Sequence, residues 1–182
     1  INSAVGKPHF IASQMDGLFK VQAGCFGRDA KINAETAAQL DVAGDRIYPS
    51  WESMLQREKG LIDAIVVLTP TPQHRIPVIS ALQSGFPVIC EKALAVSSAE
   101  AAEMEKVARE TRQFLTVTYN YTGYPMIREL KKMIQDDRLG RVGQIHIEMP
   151  QESFTRLNRE GSPLVPQQWR LHDYDVPTIS LD

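Results

Sequence analysis

A glutamate and a lysine, Glu91 and Lys92, stand directly after a short apolar run at residues 87–90. Two adjacent opposite charges are unusual at the end of a buried strand. A lysine beside a bound cofactor can donate a hydrogen bond to a substrate hydroxyl and stabilise the negative charge that develops on its oxygen. The pattern by itself favours a plainer interpretation, in which Glu91 and Lys92 form a surface ion pair. A catalytic role for Lys92 therefore requires a cofactor site beside it.

A second candidate is the polar, proline-rich segment at residues 69–74, which follows the apolar run at residues 62–68 and ends in His74. Ligands in open α/β sheets bind outside the carboxyl ends of the strands, and a turn that leads into a helix can present N–H groups to a phosphate or a ribose. A turn that only closes a strand–helix loop fits the same residues equally well.

Other reactive side chains give weaker signals. Residues 1–8 contain one glycine and follow no strand, so they match a pyrophosphate-binding turn poorly. His9 lacks a partner at metal-ligand spacing, and His146 falls on the polar side of an alternating segment. Cys25 and Cys90 lie in apolar runs and are interpreted as unreactive core thiols. No spacing indicates a Ser-His-Asp or Cys-His nucleophile.

The elements that must position these residues alternate along the chain. Apolar runs of strand length recur at residues 19–26, 62–68, 87–90 and 114–118. Helical patterns lie between them, at residues 36–40, 76–82 and 97–108. In the last of these, Ser97 and Glu100 have the spacing of a capping box. The alternation predicts β-α-β units and therefore a doubly wound, Rossmann-like parallel sheet of the α/β class.

The alternation changes after residue 119. Pro125 begins a helical pattern whose apolar residues are expected to face inward, namely Met126, Leu130, Met133 and Ile134. Residues 142–149 alternate strictly, which is typical of a half-buried strand in an antiparallel sheet. We therefore predict a dinucleotide-binding domain over residues 1–122 and the beginning of an α+β second domain, with a largely antiparallel sheet, over residues 123–182.

Composition excludes several classes of protein. The 182 residues carry 20 Lys and Arg against 22 Asp and Glu, so their net charge of −2 favours neither nucleic acid nor an anionic membrane as a partner. The longest apolar stretch, residues 64–68, is far too short to span a bilayer. Two cysteines cannot form a disulfide framework, and no secretory leader opens the chain, so we expect a cytoplasmic protein.

Taken in order, the motifs resemble those of the Gfo/Idh/MocA family of nicotinamide-dependent oxidoreductases. Residues 63–70 with His74 resemble a strand of that family and its T-P-N-x-x-H turn, and Glu91 with Lys92 resembles its E-K-P motif. Asn120, Pro125 and residues 138–143 resemble its crossover into the second domain. The resemblance runs from about residue 3 to residue 149, and more thinly to residue 182.

The resemblance implies a hydride transfer between NAD or NADP and a carbinol carbon of a sugar, inositol or related polyol, in a protein that forms homo-oligomers. Its implied catalytic residues are Lys92 and Asp182, the latter paired with a histidine four residues further on. Its implied cofactor-binding residues are Ser3, Ala4, Val5, Phe26, Arg28, Thr69, Pro70, His74, Glu91 and Asn120. A dinucleotide-binding sensor without turnover, and a glycoside-cleaving member of the same family, remain as alternatives.

The implied roles differ along the chain. Residues 3–5 would be the remains of the pyrophosphate turn, and Thr69, Pro70 and His74 would line the ribose and nicotinamide side. Glu91 would contact the nicotinamide ribose region, and Asn120 would lie near the nicotinamide and the substrate.

Three features depart from the family pattern. Arg28, where an NAD-specific site usually places an acidic residue, favours NADP, although the neighbouring Asp29 could reverse that preference. Ala93 replaces the family's proline, so we expect a trans peptide bond between Lys92 and Ala93. The family's first strand is missing, and its absence would leave neighbouring strands unpaired, so we expect these residues alone not to fold cooperatively.

Overall fold

The computed structural model describes residues 5–148 and 156–165. From residue 65 onward, helices and strands alternate as the sequence predicts. The helices are α1 (Gly6–Met15), α2 (Ala30–Gln39), α3 (Trp51–Arg57), α4 (Arg75–Gln83), α5 (Ser98–Thr111) and α6 (Pro125–Gln135). The strands are β1 (Ile65–Val67), β2 (Val88–Cys90) and β3 (Leu115–Val117). Short 3-10 helices occupy Gly44–Arg46, Thr71–Gln73 and Asn120–Gly123.

The three strands form one parallel sheet in the order β1-β2-β3. Val67 lies opposite Cys90, and Cys90 lies opposite Val117, so the three strands end level with one another. The crossover from β1 to β2 contains α4 and the crossover from β2 to β3 contains α5, which is the β-α-β arrangement of a Rossmann fold. The predicted α/β class is confirmed for this part of the chain.

The main hydrophobic core lies between the sheet and the helices α4 and α5. Its fully buried side chains are Val78, Ala81, Leu82, Val88, Cys90 and Met104. The predicted start of α5 is also confirmed, because Ser97 Oγ accepts a hydrogen bond from Glu100 N at 3.2 Å. Glu100 Oε2 in turn accepts from Val96 N at 3.4 Å, which fixes the chain as it enters the helix.

The strand predicted at residues 19–26 is not formed. Gly24 makes a single parallel bridge to Ile47, with Gly24 N donating to Arg46 O at 3.1 Å and Tyr48 N donating to Gly24 O at 2.9 Å. The ring of Phe26 folds back onto the position that a Gly24 Cβ would occupy. Any side chain at position 24 would collide with this ring, so the contact requires glycine. In a regular strand, residues two apart such as Gly24 and Phe26 extend side by side on one face, so the folded-back ring shows that the backbone is not a strand here.

Helix α2 begins six residues before the predicted pattern at residues 36–40. Asp29 Oδ1 accepts a hydrogen bond from Ile32 N at 3.0 Å and caps the helix. The first turn of α2 has few apolar side chains, so hydrophobic periodicity could not reveal it. Ala37 and Leu40 of this region form a second apolar cluster with Val42.

The strand predicted at residues 142–149 is also wrong for the residues that the structure describes. Residues 142–148 have no regular secondary structure, and Ile147 is 80% exposed. An alternating sequence becomes a strand only when a neighbour pairs with its backbone and covers its apolar face, and no described strand does so here. Met126, Leu130 and Ile134 of α6 are likewise exposed, Met126 to 76%, whereas Met133 is partly buried. The division of domains at residue 122 therefore stays a prediction.

No described helix is both long enough and apolar enough to cross a membrane.

The packing of α5 against the sheet predicts a large stability effect at Met104. The substitution Met104→Ala should lower the free energy of unfolding of the full-length protein by about 2–5 kcal/mol, because it leaves a cavity in a fully buried site. Denaturant unfolding measures the change. The control Met15→Ala, at a side chain that is 78% exposed, should change it by less than about 0.5 kcal/mol. Equal losses at both positions would contradict this placement of the core.

Candidate functional site

The carboxyl edge of the sheet gathers the residues that follow each strand. The backbone ladder continues one residue past the strands, with Glu91 N donating to Val67 O and Thr118 N donating to Cys90 O, both at 3.0 Å. Thr69 follows β1, Glu91 and Lys92 follow β2, and Thr118 follows β3. The level ending of the three strands therefore brings these polar residues to one edge, where ligands bind in open α/β sheets.

Glu91 accepts hydrogen bonds from three different parts of the chain. Its Oε1 lies 2.9 Å from His9 Nε2 and 2.5 Å from Thr118 Oγ1, and its Oε2 accepts from Lys92 N at 3.1 Å. The side chains of Glu91 and His9 are 15% and 21% exposed. One carboxylate thus connects α1, the residue after β2 and the end of β3.

The pKa of Glu91 is lowered from its ordinary value. Burial by itself raises the pKa, but the hydrogen bonds from Thr118 and His9, the charge of His9 and the amide of Lys92 outweigh it. A carboxyl group whose pKa is lower in the folded state stabilises the fold at pH values above its unfolded pKa of about 4.3. That contribution is lost as the pH falls through the folded pKa, so Glu91 is ionised and accepts all three bonds near neutral pH.

Lys92 does not form the surface ion pair that the sequence pattern favours. Glu91 is directed to His9 instead, and the ion pairs within the described residues do not include the Lys92 ammonium group. The side chain of Lys92 is exposed at the edge of the sheet. It is therefore a cation that a ligand can reach.

The peptide bond between Lys92 and Ala93 is cis, so the expectation of a trans bond is wrong. The local preference of an isolated peptide does not decide the conformation here, because tertiary contacts surround Ala93. The residue is 8% exposed, and its carbonyl oxygen lies 2.9 Å from His74 Nδ1.

His74 connects two loops of the edge. It is fully buried, with Nδ1 2.9 Å from Ala93 O and Nε2 2.6 Å from Thr69 O. Both partners are acceptors, so only an imidazole protonated on both nitrogens donates to both, whereas a neutral ring donates to one. Since no part of the ring is exposed, His74 positions the Thr69 turn against Ala93 and has no surface for direct contact with a ligand.

Thr69 and Pro70, in the turn after β1, are partly exposed. Pro70 precedes the 3-10 helix Thr71–Gln73, and Thr69 Oγ1 donates to Gln73 O at 3.3 Å. Asn120 is exposed two residues beyond Thr118 and begins the 3-10 helix Asn120–Gly123. These residues share the edge with Lys92.

Val5 immediately precedes α1 and is 37% exposed. Ser3, Ala4 and Asp182, which were predicted as site residues, lie outside the described residues.

Phe26 and Arg28 lie in the turn before α2, and Asn33 holds this turn in place. Asn33 is 5% exposed; its Oδ1 accepts from Phe26 N and its Nδ2 donates to Tyr48 O, both at 2.7 Å. The Phe26 ring packs on the second apolar cluster. Sequence reasoning missed Asn33, because a single polar residue within a weakly apolar helix carries no local signal.

A network of charged and polar side chains around the buried Glu58 supports the turn before α2. Glu58 accepts from Tyr48 Oη at 2.7 Å and from Arg46 Nε at 3.1 Å, and its second oxygen also contacts Arg46. The hydrogen bond from Arg46 is the main reason that the pKa of Glu58 is lowered, against the opposing effect of burial. The network fixes residues 46–48, to which Gly24 and Asn33 are bonded.

Arg28 and Asp29 have different partners. Arg28 Nη2 donates to Gln73 Oε1 at 3.2 Å, which joins the turn before α2 to the turn after β1. Asp29 Oδ1 is occupied by the cap of α2. The guanidinium group rather than the carboxylate is thus directed toward the carboxyl edge.

Cys90 lies directly before Glu91 and is fully buried. Burial, with a smaller effect of the Glu91 charge, raises the pKa of its thiol to about 12. The expectation of an unreactive core thiol is consistent with this environment. Cys25 is partly buried, and burial likewise raises its pKa. Across residues 5–148 and 156–165, no group of three or more His, Cys, Asp or Glu side chains could hold a metal ion.

The two hydrogen bonds of His74 predict a measurable stability loss. The substitution His74→Leu should lower the free energy of unfolding by about 1–3 kcal/mol, because it removes a buried donor that lies within hydrogen-bond distance of the carbonyl oxygens of Thr69 and Ala93. Denaturant unfolding of the full-length protein checks this. The control His146→Leu removes a histidine whose side chain is 74% exposed and should have little effect. An unchanged midpoint for His74→Leu would be inconsistent with the two bonds.

Comparison with known proteins places this arrangement among oxidoreductases. A family model described as "Oxidoreductase family, NAD-binding Rossmann fold" matches residues 4–119. The chain is 30% identical to the uncharacterized oxidoreductase YfiI of Bacillus subtilis (strain 168) over 173 residues, covering 93% of the chain and 44% of that relative. It is 31% identical over 110 residues to the trans-1,2-dihydrobenzene-1,2-diol dehydrogenase of Xenopus laevis, covering 60% of the chain and 33% of that relative.

A solved structure gives the same relationship. The inositol dehydrogenase homolog of Azotobacter vinelandii, complexed with NADH and myo-inositol, matches with a TM-score of 0.73 and 33% identity, covering 78% of this chain and 38% of that chain. The chain thus spans less than half of the length of these relatives. The matched sequence and the parallel sheet together show that it belongs to the Gfo/Idh/MocA family of oxidoreductases, in the part that forms the NAD-binding Rossmann fold.

Proposed function

We propose that the full-length protein is an NAD(P)-dependent dehydrogenase that acts on a carbinol group of a sugar, inositol or related polyol. The observation that carries the proposal is the exposed ammonium group of Lys92, which lies at the carboxyl edge of a Rossmann sheet without an ion-pair partner among the described residues. The solved relative that binds NADH and myo-inositol and the dihydrodiol dehydrogenase support this substrate class.

Lys92 has the central chemical role in this proposal. Its ammonium group donates a hydrogen bond to the reacting oxygen and stabilises the negative charge that develops there. A bound nicotinamide supplies the hydride acceptor or donor. Asp182 would act together with a histidine beyond it in moving the hydroxyl proton, in line with the family resemblance.

The remaining residues hold the cofactor and the substrate. Residues 3–5 bind the pyrophosphate ahead of α1, Thr69 and Pro70 line the nicotinamide and ribose side, and Asn120 lies near the nicotinamide. The side-chain nitrogens of His74 and the carboxylate oxygens of Glu91 lie within hydrogen-bond distance of other groups of the chain. We therefore assign both residues to positioning rather than to direct contact with the ligand.

The role of Lys92 predicts a selective loss of turnover. Lys92→Met should lower kcat on the reactive polyol by about 10²- to 10⁴-fold, the range typical of a positioned proton donor. It should change the Kd of NAD(P)H, measured by nicotinamide fluorescence, much less. Lys59→Met, at an exposed lysine outside this edge, is the control and should leave kcat unchanged. A wild-type protein that binds NAD(P)H and turns over no polyol of a broad panel would instead be a dinucleotide sensor.

We further propose that the cofactor is NADP in preference to NAD. The guanidinium group of Arg28 is held toward the carboxyl edge by Gln73, where it can meet a ribose 2′-phosphate. The acidic neighbour that would favour NAD, Asp29, has its carboxylate engaged in capping α2.

Two substitutions separate the cofactors. Arg28→Ser should raise the Kd of NADPH at least about tenfold, since a hydrogen bond to a charged group contributes roughly 1.5–3 kcal/mol, and should leave the Kd of NADH unchanged. Asp29→Asn keeps a capping side chain and removes the charge, so it should alter neither Kd. Weaker binding of NADH to Asp29→Asn would show that Asp29 holds the ribose and that the preference is for NAD.

A further inference from the structure

A hydrogen bond between two side chains joins the first helix to the residues that follow β2. His9 and Glu91 are 82 residues apart in sequence, and His9 Nε2 lies 2.9 Å from Glu91 Oε1. Both side chains are largely buried. Since the carboxylate is ionised near neutral pH and can only accept, His9 is the donor.

The same carboxylate orients the backbone of Lys92. Glu91 Oε2 accepts from Lys92 N at 3.1 Å, while Oε1 is shared between His9 and Thr118. The carboxylate group is planar and rigid, so the donors on Oε1 determine the direction of Oε2. A change at His9 therefore reaches Lys92 through one side chain.

Helix α1 contributes no fully buried side chain to the fold. None of its residues is buried, and Phe10 packs only on the edge of the second apolar cluster. The side-chain hydrogen bonds of Ser13 and Gln14 stay within the helix and the segment just after it. The bond from His9 is a polar connection between α1 and the sheet edge.

We propose that His9 is a positioning residue that couples the turn ahead of α1 to Lys92 through Glu91. This inference rests on the proposed function, in which that turn binds the pyrophosphate and Lys92 meets the substrate. Loss of the bond lets Glu91 rotate, releases the amide of Lys92 and loosens α1, so that cofactor affinity and turnover fall together.

The test compares two substitutions of His9 in the full-length protein. His9→Leu removes the donor, whereas His9→Gln keeps an N–H group at a similar distance from Cα. His146→Leu is the matched control, because His146 Nε2 also lies 2.9 Å from a glutamate oxygen, that of Glu148, but on the exposed surface.

The first readout needs neither cofactor nor activity. Hydrogen exchange of the Lys92 amide should become about tenfold faster or more in His9→Leu, because its acceptor is no longer held, and should stay near the wild-type rate in His9→Gln and His146→Leu. An unchanged Lys92 exchange rate in His9→Leu would overturn the inference whatever the protein's activity.

The second readout is kinetic. His9→Leu should lower kcat about tenfold or more, since small misplacements of a positioned group reduce rates strongly, and should raise the Kd of NAD(P)H several-fold. His9→Gln should restore both to within about threefold. The double variant His9→Leu with Glu91→Gln should be no worse than the more impaired single variant, because both changes break one connection. Independent, additive losses would contradict the coupling.

The two readouts distinguish this inference from the proposed function. Faster Lys92 exchange in His9→Leu, in a wild-type protein without dehydrogenase turnover, would reject the function and retain the positioning role. A loss of stability in His9→Leu with unchanged Lys92 exchange and unchanged kcat would reduce His9 to an ordinary packing residue and reject the inference.

Discussion

The chemistry proposed for this chain depends on three parallel strands that end level with one another. Val67, Cys90 and Val117 lie side by side, so the residues after each strand emerge at the same edge. A register shift of one residue would turn the side chains of a strand to opposite faces of the sheet. The buried faces of helices α4 and α5 pack on the sheet in this register, and the polar edge is therefore a consequence of how the apolar core packs.

Buried polar groups then convert this edge into a defined arrangement. The carboxylate of Glu91 accepts hydrogen bonds from His9, Thr118 and Lys92. The ring nitrogens of His74 lie within hydrogen-bond distance of carbonyl oxygens in two loops. Because burying such groups is costly unless every atom is paired, satisfied networks favour one arrangement over alternatives. Lys92 is different, since its ammonium group faces outward. The site combines rigid supports with one available cation.

Sequence reasoning identified what is local and missed what is distant. The apolar runs at residues 62–68, 87–90 and 114–118 and the cap at Ser97 follow from short-range chemistry, and the structure contains the corresponding elements. The contact between His9 and Glu91 spans 82 residues and leaves no periodic trace. The strand predicted at residues 142–149 is not formed within the described residues 142–148 for a related reason, because alternation describes a face but does not supply the neighbour that must pair with it.

The position of Cys90 affects how this edge responds to oxidants. A thiol reacts with peroxide or with disulfides mainly as its thiolate, and a pKa of about 12 leaves almost no thiolate at physiological pH. Cys90 is also fully buried, although it stands directly before Glu91 and two residues before Lys92. The strand that precedes the proposed catalytic lysine therefore ends in a cysteine that does not act as a redox switch. Oxidants do not reach Lys92 through reaction at this thiol.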